Sequence, residues 1–194
     1  VQVSAHATVA DDQSAIEAAI REAAARCDAV LISGGIGPTE DDLTRQALAG
    51  VMGTELQLNE AWLEKLQQFF RRVGRKMPET NRIQAMIPRG AEMIDNSAGT
   101  AAGIAATVGR CRVFVMPGVP KEMKAMFQRS VLPELSAKAG GAVILSKTLH
   151  TFGLGESSVA EKIGDLMKRE RNPSVGTTVS QGIVSLRINC RAAS

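Results

Sequence analysis

The chain is poor in aromatic residues. Phe, Trp and Tyr make up 3% of its 194 residues, with no Tyr and a single tryptophan, Trp62. Proteins that bind single-stranded nucleic acid stack bases on aromatic rings, and few rings are available here for that mode of binding. The net charge of +3 is also too small to indicate a nucleic-acid or membrane partner. We therefore expect no nucleic-acid-binding function.

Histidine and cysteine are scarce as well. His6 and His150 are isolated, and Cys27, Cys111 and Cys190 lie far apart without the spacing of a metal site. Each cysteine sits in or beside an apolar segment, which fits reduced thiols and predicts a cytoplasmic protein. No apolar run approaches the length of a membrane span and no signal peptide is visible, so we expect no membrane association.

The remaining composition is that of an ordinary globular protein. Hydrophobic residues are 44% and charged residues 22% of the chain. A chain of this length can bury one sizeable core, or form one domain with a small appendage.

The most informative segment is the glycine turn, Gly34 to Asp42, within the sequence S-G-G-I-G-P-T-E-D-D-L-T that ends at Thr44. It follows Ala29 to Ile32, an apolar run typical of a buried parallel strand, and leads into a predicted helix from about Asp41 to Met52. Glycines let the backbone approach a ligand closely, and the free N–H groups of a helix's first turn point toward it. The segment therefore predicts an anion site.

Three polar residues of this turn admit two interpretations. Thr39 could cap the helix and donate its hydroxyl to a phosphate. A site for phosphate alone would avoid the carboxylates Asp41 and Asp42, so their presence suggests a bound metal or general-base chemistry. The alternative is an ordinary helix start, where the helix dipole favours acidic residues. The residue types leave both interpretations open.

Strands and helices alternate along the first 137 residues. Residues 1–9 alternate like a strand, and Asp11-Asp12 begins a helix. We further predict a helix capped by Asn59 with Trp62 in its core face, a short helical piece from Pro78, a short strand at 91–94, strands at 104–108 and 111–116, and a helix from Lys121. This order predicts an α/β fold, with a parallel or mixed sheet covered on both faces.

The end of the chain has a different pattern. Gly140-Gly141 is predicted to be a linker. A strand at 143–152, a helix at 156–168 and a hairpin of strands 175–179 and 183–188 follow it. These elements predict a small α+β subdomain.

Several loops are predicted to meet at one edge of the sheet. In open α/β sheets, ligands bind outside the carboxyl ends of the strands. Three loops leave strands at such ends, and a fourth, at 96–103, has small residues that would let a ligand approach the backbone; the three are 10–12, 34–42 and 117–121. If they converge, four carboxylates that could hold an Mg²⁺-type ion lie beside two glycine turns: Asp11, Asp12, Asp41 and Asp42.

These motifs carry a resemblance to a known family. The segment from Gly34 to Thr44 resembles the signature of the N-terminal domain of the competence/damage-inducible protein A (CinA) family, whose fold is similar to that of the MoaB and Mog proteins. Supporting matches are residues 9–12, 96–103 and 116–123, and residues 151–157 resemble the family's following KH-like module. The resemblance covers essentially the whole chain.

The resemblance implies a fold. It is a three-layer α/β/α domain with a mostly parallel sheet over residues 1–139, followed by a KH-like α+β subdomain over 142–194. Relative to the family pattern the domain lacks its first strand and helix, so we expect an unpaired strand position in the core sheet. We also expect a homo-oligomer. The tail has no clear Gly-x-x-Gly clamp, which argues against nucleic-acid binding despite the KH-like label.

The resemblance also implies an activity. The N-terminal domain of this family is associated with metal-dependent ADP-ribose pyrophosphatase activity, which makes a phosphohydrolase of nucleotide-sugar pyrophosphates the leading hypothesis. The alternative is a module that binds molybdopterin or a nucleotide without turnover. The C-terminal amidase domain of longer members is not covered, so nicotinamide-nucleotide deamidation is not assigned to this chain.

The implied site residues fall into three groups. Asp42 and Asp11 are the catalytic carboxylates. Asp42, Asp41 and Asp12 are candidate ligands of a divalent metal ion, of the Mg²⁺ type or a transition metal. The phosphate or ligand contacts are assigned to glycines and threonines of three loops: Gly34, Gly35, Gly37, Thr39, Gly99, Thr100 and Gly118.

Overall fold

A computed structural model describes residues 2–138, 142–168 and 170–193. The chain divides into two compact units, residues 1–135 and 136–194. The predicted linker at Gly140-Gly141 lies outside the described residues.

The first unit contains the predicted helices and all but the first of the predicted strands. Its elements are α1 (Gln13–Arg26), β1 (Ala29–Ser33), α2 (Thr44–Met52), β2 (Leu56–Leu58), α3 (Glu60–Arg72), β3 (Met86–Pro88), β4 (Glu92–Ile94), β5 (Gly103–Val108), β6 (Cys111–Met116), α4 (Pro120–Met126) and α5 (Leu132–Lys138). A 3₁₀ helix at Glu79–Ala85 precedes β3, and a π-helical turn at Phe127–Val131 joins α4 to α5.

The main sheet has the strand order β1-β6-β5-β4. β1 runs parallel to β6, with Ala29 opposite Arg112 and Ser33 opposite Met116. β5 is antiparallel to both β6 and β4, so the sheet is mixed. β2 and β3 form a separate antiparallel pair. In the described part of the chain β1 is an edge strand of this sheet, and its central Leu31 is 47% exposed.

The sheet is covered on both faces, which confirms the three-layer α/β/α class. On one face, Val113 and Val115 of β6 pack in a cluster with Ala24 of α1 and Leu48 of α2. The alternate residues of β6 face the other way, where Phe114 contributes to a cluster with residues of α4 and α5. Side chains of a strand alternate between the two faces, so β6 serves both layers.

Two helix starts follow directly from the sequence. The carboxylate of Asp12 accepts a hydrogen bond from the Ala15 N–H at 2.8 Å and caps α1. Asn59 caps α3 in the same way, accepting from the Trp62 N–H at 2.9 Å. Trp62 is 6% exposed, which confirms that it belongs to the core.

The predicted first strand is wrong. Residues 2–10 are exposed and have no regular secondary structure. A strand requires a neighbouring strand for its backbone hydrogen bonds, and this segment forms no ladder with β1 or any other described strand. Alternation of residue types alone therefore did not produce a strand here.

The predicted start of α2 is wrong as well. The helix begins at Thr44 rather than Asp41, and its N-cap residue is Leu43 rather than Thr39, with no side-chain hydrogen bond at the cap. The reason is that Asp42 turns back toward Thr39: its N–H donates to the Thr39 carbonyl at 3.1 Å, which closes a turn ahead of the helix.

The second unit is a three-stranded antiparallel sheet with one helix. Its elements are β7 (Ala142–Phe152), α6 (Glu156–Ile163), β8 (Ser174–Ser180) and β9 (Ile183–Ala193), in the strand order β7-β9-β8. Gln181 and Gly182 both have positive φ, at 50° and 76°, and form the predicted hairpin turn. The predicted helix to Lys168 ends at Ile163, because Gly164 adopts a φ of 41° and a 3₁₀ turn follows.

No helix in the described ranges is both long enough and apolar enough to span a bilayer.

Candidate functional site

The glycine turn connects β1 to α2 through two residues that favour glycine. Gly34 and Gly35 have φ angles of 101° and 70°, in the left-handed region. The Gly34 N–H donates to the Met116 carbonyl at 2.9 Å and extends the pairing of β1 with β6 by one residue. The Gly35 carbonyl accepts from the Thr44 N–H at 3.0 Å, which fixes the turn to the first residue of α2.

The glycine turn already binds a carboxylate, that of Asp42. One oxygen of Asp42 accepts hydrogen bonds from the Thr39 N–H at 3.0 Å and from the Thr39 hydroxyl at 2.5 Å. A Cβ atom on Gly37 would collide with this carboxylate, so only glycine leaves room for it there. The turn therefore presents converging donors that are suited to an oxyanion.

The environment of Asp42 favours its ionised form. Partial burial by itself would raise its pKa, but the hydroxyl and N–H of Thr39, the N–H of Gly37 and the charge of Arg45 all lower it. The net result is a pKa below its ordinary value of 3.8. Asp42 is therefore an anion at neutral pH and acts as a hydrogen-bond acceptor, not as a proton donor.

We expect ionised Asp42 to stabilise the fold at neutral pH and to lose this effect in acid. Because its pKa is lower in the folded than in the unfolded chain, the unfolded chain binds more protons between the two values, and stability falls as the pH drops through that interval. The unfolding free energies of the parent chain and Asp42→Asn, followed by Trp62 fluorescence, should differ by a constant amount above about pH 5 and converge below about pH 4. A difference that persists down to about pH 2 would contradict this assignment.

A second turn, residues 117–119, lies against the glycine turn. A Cβ atom on Gly118 would be 3.5 Å from the Gly34 Cα, and the Ser33 hydroxyl donates to the Pro117 carbonyl at 3.3 Å. The carboxyl ends of the parallel strands β1 and β6 meet at this point. The structure thus brings together the predicted ligand residues Gly34, Gly35, Gly37, Thr39 and Gly118.

The small-residue loop at 96–101 is joined to α4. Asn96, which is 8% exposed, donates to the Ala101 carbonyl at 2.8 Å and to Glu122 Oε2 at 2.7 Å. Gly99 lies so close to the Glu122 carboxylate that a Cβ atom there would overlap it. The loop that holds the predicted ligand residues Gly99 and Thr100 is therefore fixed to the helix that follows the 117–119 turn.

The same loop forms one wall of a cleft of about 600 Å³. The other wall is α3, which contributes Trp62, Lys65 and Arg72. Lys65 pairs with Asp95 at 2.9 Å, and the Trp62 indole N–H donates to the Thr100 carbonyl at 3.4 Å. The cleft is large enough for a small organic molecule.

The predicted metal ligands are not gathered in the described residues. Asp12 is engaged as the cap of α1, where it also accepts a hydrogen bond from the Ser14 hydroxyl at 2.5 Å. Asp11 and Asp41 are exposed, and no hydrogen bond in the described residues joins either of them to Asp42. Within the same ranges no group of three or more His, Cys, Asp or Glu side chains has the arrangement of a metal site. The predicted set of several carboxylates around one divalent ion is therefore not formed within the described residues.

One residue of α2 that contacts the glycine turn was not predicted from the sequence. Arg45 is 1% exposed, and its Nη2 donates to the Ile36 carbonyl at 2.7 Å. Burial lowers its pKa to about 10, against the opposing charge of Asp42. The available signal was helical spacing, because Arg45 shares the buried face of α2 with Leu48 and Ala49 at positions i+3 and i+4.

The comparisons with known proteins place the chain in one class of protein. A family described as "Probable molybdopterin binding domain" matches residues 1–137, and the chain belongs to it. The "Damage-inducible protein CinA KH domain" family matches residues 146–194. The order of these two modules is that of the CinA proteins, in agreement with the resemblance that the motifs carry.

Individual relatives give the same result. A CinA-like protein of Dictyoglomus turgidum is 40% identical over 194 residues, covering 100% of this chain and 47% of the relative. A CinA-like protein of Citrifermentans bemidjiense is 44% identical over 162 residues, covering 82% of this chain and 38% of the relative. A crystal structure of the protein CinA from Thermoplasma acidophilum superposes with a TM-score of 0.57 at 35% identity, covering 63% of this chain and 72% of that one. The chain thus spans less than half the length of the two CinA-like relatives of Dictyoglomus turgidum and Citrifermentans bemidjiense.

Proposed function

We propose that the first unit binds the phosphate of a small nucleotide or pterin ligand at the glycine turn. The observation that carries the proposal is the engagement of the Asp42 carboxylate by the Thr39 N–H and hydroxyl. A group of donors that holds one oxyanion is suited to another, and the N-terminus of α2 adds a favourable dipole. Membership in a molybdopterin-binding family supports the same ligand class.

We propose further that the bound ligand is hydrolysed when it is a nucleotide-sugar pyrophosphate such as ADP-ribose. Water attacks one phosphorus, a new P–O bond forms, the bridging P–O bond breaks with its electron pair leaving on the other phosphate, and the water proton passes to solvent. The products are AMP and ribose 5-phosphate. Donors of the glycine turn would stabilise charge on the phosphate oxygens, and ionised Asp42 would orient the attacking water.

The dependence on a divalent metal remains a prediction. An ion bound to the pyrophosphate would neutralise developing charge. Since the described acidic side chains form no three-membered ligand set, the ligand's own oxygens and water would have to supply most of the coordination. We also expect a cytoplasmic homo-oligomer, which remains to be tested.

A binding module without turnover is the second candidate. Asp11, the expected partner of Asp42 in catalysis, is exposed and has no hydrogen bond to Asp42 in the described ranges. A site with only one of two required carboxylates in place can hold a phosphate without cleaving it.

One assay separates the two candidates. Purified chain is incubated with ADP-ribose, with and without Mg²⁺ or Mn²⁺, and AMP is measured by chromatography, while calorimetry measures ADP-ribose binding. Production of AMP above the protein-free control supports the hydrolase. Binding without AMP supports the module, and the absence of both would contradict a site for ADP-ribose at the glycine turn.

A further inference from the structure

The buried guanidinium of Arg45 lacks hydrogen-bond partners that its position requires. Nη2 is bonded to the Ile36 carbonyl at 2.7 Å. Nε and Nη1 are buried and have no hydrogen-bond partner among the described residues. A charged group that is 1% exposed with two unmatched donors costs stability, so the fold accepts a penalty at this residue.

The anion whose charge acts on Arg45, Asp42, is hydrogen-bonded to another residue. Asp42 precedes Arg45 by three residues, and its charge acts on the guanidinium. Its carboxylate, however, is hydrogen-bonded to Thr39. The glycine turn thus holds an internal anion on donors that suit a ligand. The Arg45 guanidinium is bonded to the carbonyl of Ile36, and the next residue, Gly37, lies against the Asp42 carboxylate.

We infer that Arg45 is a positioning residue for Asp42: when a ligand oxyanion takes the donors of the glycine turn, one oxygen of the released Asp42 carboxylate pairs with a single unmatched donor of Arg45, either Nε or Nη1. The exchange satisfies both groups, since Thr39 keeps an anionic acceptor and Arg45 gains one. One carboxylate oxygen on Arg45 leaves the other free to face the ligand. This inference rests on the proposed phosphate site.

The exchange explains two features that ligand binding alone does not. An acidic residue in a phosphate-binding turn would repel the ligand if it stayed in place. A buried, partly unmatched arginine would be a defect if nothing ever paired with it. Movement of the carboxylate from Thr39 to Arg45 removes both difficulties in one step.

The test is a double-mutant cycle with inorganic pyrophosphate as the probe and calorimetry as the readout. Arg45→Met should weaken binding by about tenfold or more, because the displaced carboxylate then has no partner. In an Asp42→Ala background nothing is displaced, and the same Arg45→Met change should alter binding by less than about twofold. Arg45→Lys, which retains the charge, should give an intermediate affinity and covers the case in which Arg45→Met does not fold.

A matched control is available on the same helix. Gln46 also has a buried side-chain oxygen without a partner among the described residues, but it takes no part in the turn. Gln46→Leu should leave the pyrophosphate affinity of the parent chain and of Asp42→Ala unchanged. This outcome would separate loss of an unmatched polar atom from loss of the Asp42 partner.

Two outcomes would overturn the inference. Equal weakening by Arg45→Met in both backgrounds would mean that Arg45 attracts the ligand directly rather than through Asp42. No weakening, or no pyrophosphate binding by the parent chain, would mean that no exchange occurs. Because the readout is binding, a chain that shows the coupling but releases no AMP from ADP-ribose would refute the hydrolase and retain the inference.

Discussion

Asp42→Asn is expected to reduce ADP-ribose hydrolysis by roughly two orders of magnitude or more. The substitution removes the charge that orients the water and retains the size of the side chain. The loss should appear in kcat, because the phosphate contacts made by the donors of the turn remain. Steady-state measurement of AMP release gives kcat and KM separately.

Glu40→Gln is the matched control for this result. Glu40 is an exposed carboxylate of the same turn, so its neutralisation changes the local charge equally without removing a hydrogen-bonded group. Its kcat should remain within about twofold of the parent value. Parent-like hydrolysis by Asp42→Asn would remove Asp42 from the reaction. Equal losses in both variants would indicate a general electrostatic effect.

Asp42→Asn should also lower stability. Asp42 accepts hydrogen bonds from Thr39 and is the identified opposing charge of buried Arg45. Loss of charge-assisted hydrogen bonds of this kind costs roughly 1–3 kcal/mol. Kinetic measurements should therefore be made well below the melting temperature of the variant.

Gly35→Val is expected to produce the largest loss of stability among single changes in the turn. Gly35 has a φ of 70°, which a β-branched residue adopts only with strain, and a Cβ atom there would overlap the Thr44 hydroxyl. The backbone term is about 1–2 kcal/mol and overpacking adds about 1–3 kcal/mol, so we expect a loss of roughly 2–5 kcal/mol. Urea unfolding followed by Trp62 fluorescence reports on the first unit, since Trp62 is the chain's single tryptophan.

Gly53→Ala isolates the backbone part of that loss. Gly53 has a similar φ of 64° at the end of α2, and no atom of the described residues lies within 4 Å of the position that a Cβ would take there. The substitution should cost only about 1–2 kcal/mol. If Gly35→Val lowered the free energy of unfolding no more than Gly53→Ala does, the close approach of Gly35 to Thr44 would not contribute to the loss of stability.

Local chemistry was sufficient to predict much of the fold. The apolar run of β1, the start of α1 at Asp11-Asp12, the cap of α3 by Asn59, and the hairpin turn at Gln181-Gly182 are all confirmed. Each depends on interactions between residues a few positions apart, or on backbone angles that one residue type favours. The glycine turn was predicted from a glycine-rich segment between a buried strand and a helix, and the left-handed angles of Gly34 and Gly35 agree with it.

The sequence by itself determined the α/β class, the position of the glycine turn and the presence of carboxylates in it. Only the tertiary structure decided that residues 2–10 form no strand and that Gly118 lies against Gly34. It also decided that Arg45 is buried with two N–H groups that have no partner among the described residues. A strand needs a partner edge, and a buried charge needs a surrounding core. Both are supplied by residues distant in sequence, so neither residue type nor spacing fixes them in advance.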